Sequence, residues 1–114
     1  MTLADFIARL GEDSTLDFED TMAVIGENYE YTPTGFNNGD VRNEAGQNEG
    51  SCKVFAFAQL NDLTPEKTLA CFGRFYQDVL AAPEGTDHGN IRAFMANGWS
   101  GIAFDATALV ATAK

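Results

Sequence analysis

The stretch GFNNGDVRNEAGQNEGS, residues 35–51, constrains this chain more than any other. Its seventeen residues hold one aliphatic side chain larger than alanine, Val41, against four Asn, four Gly and one Gln. Gly and Asn are poor helix formers and tolerate the positive-φ corners of turns, so no long helix runs through the segment. The core must come from the apolar blocks on either side. The segment is then either a connector or a polar surface in its own right, and unstructured stretches of this length are often functional in compact domains.

The flanking blocks read mainly as helices. Thr2 caps a short amphipathic helix with Leu3, Phe6, Ile7 and Leu10 on one face, ended by Gly11. Phe18, Met22, Ile25 and Tyr29 recur at helical spacing after Asp17, with Glu19 and Asp20 suited to the positive end of the helix dipole. YEYTPTGF alternates aromatic and polar residues around Pro33 and reads as extended. After the polar segment, Ser51 is placed to cap a helix over CKVFAFAQLNDL, although its alternation also suits a buried strand. Thr64-Pro65-Glu66 is the clearest helix start, with Leu69, Phe72, Tyr76, Val79 and Leu80 as its buried stripe. Asp87 is placed to cap a last helix with Ile91, Phe94 and Met95 inward, ended by Asn97-Gly98. Trp99, Ile102 and Phe104 fold back on the core, and the Ala-rich tail from Asp105 reads as a weak helix or a frayed end.

These elements predict a mainly α fold, about five helices around one core with a short extended segment near residues 29–36. The alternative is an α+β arrangement in which YTPTGF pairs with a strand near Gly101–Phe104 in a small two-stranded sheet. The chain has 114 residues, with no repeat or linker to divide it, so residues 1–114 form a single domain.

The formal charge is −10 and unevenly spread: residues 1–50 carry eleven acids and two bases, residues 51–114 six acids and five bases. Phosphate backbones and anionic membrane surfaces are bound by clustered Lys and Arg, so neither nucleic acid nor membrane is expected as a partner. The acid reads as a solvated face or an acidic docking surface. No apolar run reaches the length of a transmembrane helix, and the first residues lack the features of a signal peptide. Cys52 and Cys71 each lie in an apolar block and read as buried free thiols in a reducing compartment.

Chemistry is sparse. His88 is the only histidine. It could serve an acid–base or nucleophilic system with Asp87, other carboxylates or a thiol, or simply decorate a turn. Asp40-x-Arg42-x-Glu44 fails a calcium loop because Arg takes a ligand position and Ala45 stands where Gly is needed. No metal or cofactor is expected. The polar segment offers the densest set of donors and acceptors: Phe36, Asn37, Asn38, Asp40, Arg42, Asn43, Glu44 and Asn48 are the candidate binding residues, with His88, Asp87 and Trp99 as further candidates. An unidentified protein or a small polar ligand would be the partner. Such a segment should be ordered by its own side-chain hydrogen bonds and pinned by Phe36.

FEDTMAVIGENYEYTPTGFNNG, NEAGQNEGSCKVFAFAQLNDL, TLACFGRFYQDVL and PEGTDHGNIRAFMANGWSGI together resemble the HopJ type III effector family, over about Leu3 to Phe104. The resemblance implies a bacterial protein of the cytoplasm that type III secretion delivers into host cells, and it brings no set of catalytic residues. The expected function is a small acidic binding or effector module. The alternative is a small cytoplasmic enzyme using His88 with carboxylates or a thiol.

Overall fold

A computed structural model describes residues 1–112. Helix α1 covers Leu3–Arg9, α2 Phe18–Asn28, α3 Glu49–Leu60, α4 Pro65–Ala70, α5 Arg74–Ala81 and α6 Gly89–Asn97. The described residues also form five three-residue strands: β1 Tyr29–Tyr31, β2 Phe36–Asn38, β3 Val41–Asn43, β4 Ile102–Phe104 and β5 Leu109–Ala111. They form two antiparallel sheets, β1-β5 and β3-β2-β4. The helical core of the first expectation and the small sheet of its alternative are thus both present. Phe36, the last residue of YTPTGF, pairs with Phe104 of the strand anticipated near Gly101–Phe104, whereas Tyr31 pairs with Leu109 of β5, and β3 makes the expected two-stranded sheet three-stranded.

Helix α3 is the centre of the molecule. Val54, Phe55, Phe57 and Ala58 are each 0 % exposed, which explains why its sequence looked like a two-faced strand: a helix enclosed by neighbours is apolar on most sides. Phe55 meets Phe36, Phe72, Phe94 and Trp99 at ring-centroid distances of 5.0–6.5 Å. Trp99 sits in a 3₁₀ turn over Gly98–Gly101 and donates from Nε1 to the Leu63 carbonyl at 3.1 Å.

The helix starts follow local chemistry. Thr2 and Thr64 accept from the main-chain N–H groups of Asp5 and Lys67, and Asp17 forms a reciprocal capping box with Asp20. Asp17 Oδ1 accepts from Phe18 N at 2.8 Å and also from Arg74 N at 2.9 Å, so one carboxylate serves the first turns of α2 and α5. Gly73 makes this contact possible. Its φ of +56° lies where L side chains are strained, and a Cβ there would meet the main chain of Phe18 at 2.6 Å.

Several local expectations are corrected. The helix begun by Thr64-Pro65 breaks at Cys71–Gly73, and α5 restarts at Arg74. Val79 is buried, while Tyr76 is only partly buried and Leu80 is 47 % exposed. Met95 is 44 % exposed, since Ile91 and Phe94 take the inward face of α6. The helix starts at α3 and α6 are Asn48 and His88 rather than Ser51 and Asp87. Part of the Ala-rich tail is strand β5, because Leu109 and Ala108 are buried against the core; its last two residues lie outside the described residues.

Candidate functional site

The polar segment divides into a hairpin and a turn. Phe36 to Asn43 form the β2-β3 hairpin around Gly39 and Asp40, and β2 is also bonded to β4. Strand alternation turns Phe36 and Asn38 inward, both 0 % exposed, while Asn37 faces solvent. Phe36 stacks on Phe104 with ring centroids 5.2 Å apart.

Four Asn side chains then join the hairpin to α3 and α6. Asn38 Nδ2 donates to the Asn90 main-chain O at 2.8 Å and to Asn90 Oδ1 at 3.1 Å. Asn43 and Asn90 exchange a pair of bonds at 3.0 and 2.9 Å. Asn48 Nδ2 donates to Asn43 Oδ1 at 2.7 Å. Asn38, Asn43 and Asn90 are buried, so these amides replace contacts with water by contacts with one another. Asn38 Oδ1 has no hydrogen-bond partner among the described residues.

The exposed remainder of the hairpin is charged. Arg42 reaches Asp105 Oδ2 at 2.6 Å and Glu44 Oε1 at 3.3 Å. The guanidinium holds the Asp105 carboxyl below the usual carboxylate range. Arg42 is thereby occupied on the surface, while Asp40 and Glu44 face solvent.

Beside the amide cluster lies a cleft of about 230 Å³ lined by Phe18, Asn48, Gly50, Ser51, Phe72, Phe75, His88, Gly89, Asn90 and Ile91. It brings together the starts of α3 and α6. Both starting residues, Asn48 (φ 48°) and His88 (φ 51°), are left-handed, and neither side chain caps its helix. The first-turn N–H groups are therefore not taken by those side chains, and the positive ends of two helix dipoles meet at one cleft. Aromatic rings form its wall: Phe18 packs edge-on to Phe75 at 5.2 Å and stacks on Phe72 at 6.5 Å, and the His88 ring lies 5.5 Å from that of Phe75. A Cβ on Gly50 would come within 2.6 Å of the Phe18 ring, so glycine lets that ring approach the first turn of α3.

His88 Nε2 stands 3.6 Å from Asp78 Oδ2 and 3.8 Å from Asp87 Oδ2, just beyond a direct hydrogen bond. Asp87 is itself bound to Arg92 at 2.7 Å, and this bond depresses its pKa. Arg92 also donates to the Asp87 and Pro83 carbonyls at 2.6 and 3.2 Å, fixing the loop that carries His88. The thiols do not line the cleft. Cys52 donates to the Thr34 carbonyl at 3.5 Å, and burial pushes its pKa up. Burial pushes the Cys71 thiol up to about 12. Among the described residues, no group of three or more His, Cys, Asp or Glu is placed to hold a metal ion, and no helix is long and apolar enough to cross a membrane.

The fold matches a crystal structure of a protein of unknown function, VPA0580, with a TM-score of 0.94 and 54% identity over 98% of this chain and 95% of that one. No curated protein matches the chain. The HopJ type III effector protein family matches residues 3–109. The chain belongs to the HopJ type III effector family.

Within this HopJ chain the candidate residues separate into three groups. Asn38 and Asn43 lie inside the protein, with Phe36 and the partly buried Trp99 packed in or against the core. Asn37, Asp40, Arg42 and Glu44 are on the hairpin's outer face. Asn48 and His88 alone line the cleft, with Asp87 beside His88. Sequence reasoning missed Phe18, Ser51, Phe75, Gly89 and Asn90. Phe18 and Phe75 read as helix-face residues, and nothing in the chain announced that Asn90 would meet Asn43. The one available signal was a polar residue followed within two positions by glycine at a helix start: Asn48 before Gly50, and His88 before Gly89.

Proposed function

We propose that this HopJ-family protein is an effector-like binding module delivered by type III secretion, and that it acts by holding a ligand rather than through a reaction of its own. The reading is carried by one observation: the starts of α3 and α6 open side by side on a cleft walled by Phe18, Phe72 and Phe75. Main-chain N–H groups there would donate to an oxygen-bearing group, and the rings would cover an apolar part of the same ligand. A volume of about 230 Å³ suits a small ligand or the end of a peptide chain, below the roughly 300–1,000 Å³ of common ligand pockets.

A thermal-shift series with phenylacetate and with inorganic phosphate tests this. The reading expects a saturable rise in Tm with phenylacetate that Gly89→Leu, placed to fill the cleft, abolishes. No rise with either compound, or a rise that survives Gly89→Leu, would contradict it.

A second reading, a small enzyme, is favoured by the position of His88 near two carboxylates. Its carboxylate form suits the geometry better than its thiol form, because Cys52 and Cys71 are buried outside the cleft. His88→Gln separates the two readings: it leaves binding by main-chain donors largely intact and removes any acid–base chemistry.

A further inference from the structure

Two Asn–Gly dipeptides occur in this chain, Asn38–Gly39 and Asn97–Gly98. The pair is chemically reactive because glycine has no Cβ to keep its main-chain nitrogen away from the preceding Asn side chain, and its wide φ/ψ freedom allows the bent geometry that attack requires. We propose that Asn97 is a site of spontaneous deamidation, and that the fold suppresses the same reaction at Asn38.

The chemistry needs only water. The Gly98 nitrogen attacks Cγ of Asn97, forming an N–Cγ bond. The Cγ–Nδ2 bond breaks, and ammonia leaves with the hydrogen that Gly98 N gives up. Water then opens the resulting five-membered imide. Cleavage at the Asn97 main-chain carbonyl gives isoaspartate, and cleavage at Cγ gives aspartate. Nothing is oxidised or reduced, and either product adds one carboxylate.

At Asn38 both reacting groups are held. The side chain is 0 % exposed and Nδ2 donates to two acceptors on Asn90. The nitrogen that would attack, Gly39 N, donates to the Gly101 carbonyl at 2.9 Å. Strand β2 is bonded on both edges. Reaction there requires the hairpin to leave the sheet and the amide cluster to come apart together.

Asn97 is held by much less. It is exposed, and Nδ2 makes a single bond, to the Ala93 carbonyl at 3.0 Å. Gly98 N donates to the Phe94 carbonyl, the closing bond of α6. Helix ends open at low free-energy cost compared with interior strands, and Gly98 already has a positive φ of 61°. Loss of one terminal turn frees both groups. The reaction would also affect the hairpin: the Asn97 side chain lies over Gly39, and a Cβ on Gly101 would come within 2.9 Å of both Asn97 Cβ and Gly39 N. Isoaspartate, with its longer main chain and new charge, would disturb that packing.

The test is peptide mapping by mass spectrometry after ageing the full-length protein in mildly alkaline buffer, folded and in denaturant. In denaturant both dipeptides should gain the mass of one deamidation. In the folded protein the peptide with Asn97 should convert at least several-fold faster than the peptide with Asn38, and Asn97→Gln should remove that conversion without changing Asn38. Equal or faster conversion at Asn38 in the folded protein would overturn the proposal. So would an Asn97 that stays intact while both sites convert in denaturant.

Discussion

Asn43 and Asn90 are 47 residues apart in sequence and exchange two hydrogen bonds, Nδ2 to Oδ1 in each direction, at 3.0 and 2.9 Å. The pair ties the polar hairpin to the first turn of α6, which supplies one wall of the cleft. With Asn38 and Asn48 attached, it accounts for three of the four Asn in residues 35–51. Paired buried amides hold two backbone segments in one register, and each bond removed from the set leaves a further buried polar atom unpaired.

Removing one amide from this cluster should therefore be costly. Asn43→Ala and Asn90→Ala are each expected to destabilise the protein by about 1–3 kcal/mol, because each leaves a buried partner unpaired. The double variant should lose less than the sum. Asn37→Ser, on the outer face of the same strand, should stay within about 0.5 kcal/mol. Urea unfolding followed by far-UV dichroism reads all four, and a neutral Asn43→Ala would remove the cluster from the account.

Glycine substitutions should separate by backbone geometry. Gly73→Ala combines a φ of +56° with a collision against the start of α2, and an expected loss of about 1–3 kcal/mol follows from the strain. Gly26 lies inside α2 with nothing within 4 Å of an added Cβ and no positive φ. Gly26→Ala should raise stability by about 0.5–1 kcal/mol. Thermal melts of the two variants should move in opposite directions.

Acid should weaken the fold through specific carboxylates. Hydrogen bonds from the Arg74 and Phe18 main-chain N–H groups lower the Asp17 pKa below 3.8, and its bond to Arg92 lowers that of Asp87. Hydrogen bonds from the Thr15 side chain and main chain lead in lowering Asp13 to about 2. A carboxyl depressed in the folded state favours folding above its unfolded pKa, and this contribution is lost as pH falls through the folded value. Stability should thus decline from just above pH 4 downward. Asp17→Asn, which keeps a capping side chain but removes the titrating carboxyl, should flatten the decline, as read from melting temperatures between pH 2 and 6; an unchanged slope would contradict the linkage through Asp17.

The thiols should be silent in the native state. Cys71 is 0 % exposed with its pKa pushed up to about 12, and Cys52 is 1 % exposed with its pKa also raised. Thiolate is the reactive form, so a disulfide-exchange reagent should label neither until the protein unfolds. Rapid native labelling of either would show that the core opens there.

The sequence disclosed the elements better than their meetings. Thr2 and Thr64-Pro65 marked two helix starts because capping is local chemistry, and the helical spacing after Asp17 marked a third. Phe36 was legible as an anchor, and the pairing near Phe104 as an alternative. The break at Gly73 was not legible, because its cause is the carboxylate of Asp17 from far along the chain. The cleft was legible only at Asn48 and His88. Its aromatic wall depends on how α2 crosses α5, which no window of sequence contains. The polar hairpin carries the densest set of recognition groups in the sequence; the structure directs Asn38 and Asn43 inward and leaves Asn37, Asp40, Arg42 and Glu44 on the outer face.

A ligand held where α3 and α6 begin would perturb the main-chain amides there. Backbone amide shifts of the isotopically labelled protein, followed while phenylacetate is added, test it most directly. Saturable shifts are expected at Gly50, Ser51, Gly89 and Asn90, with the amides of Asn37, Asp40 and Glu44 still. Shifts confined to the outer face of the hairpin, or none at any concentration reached, would contradict it.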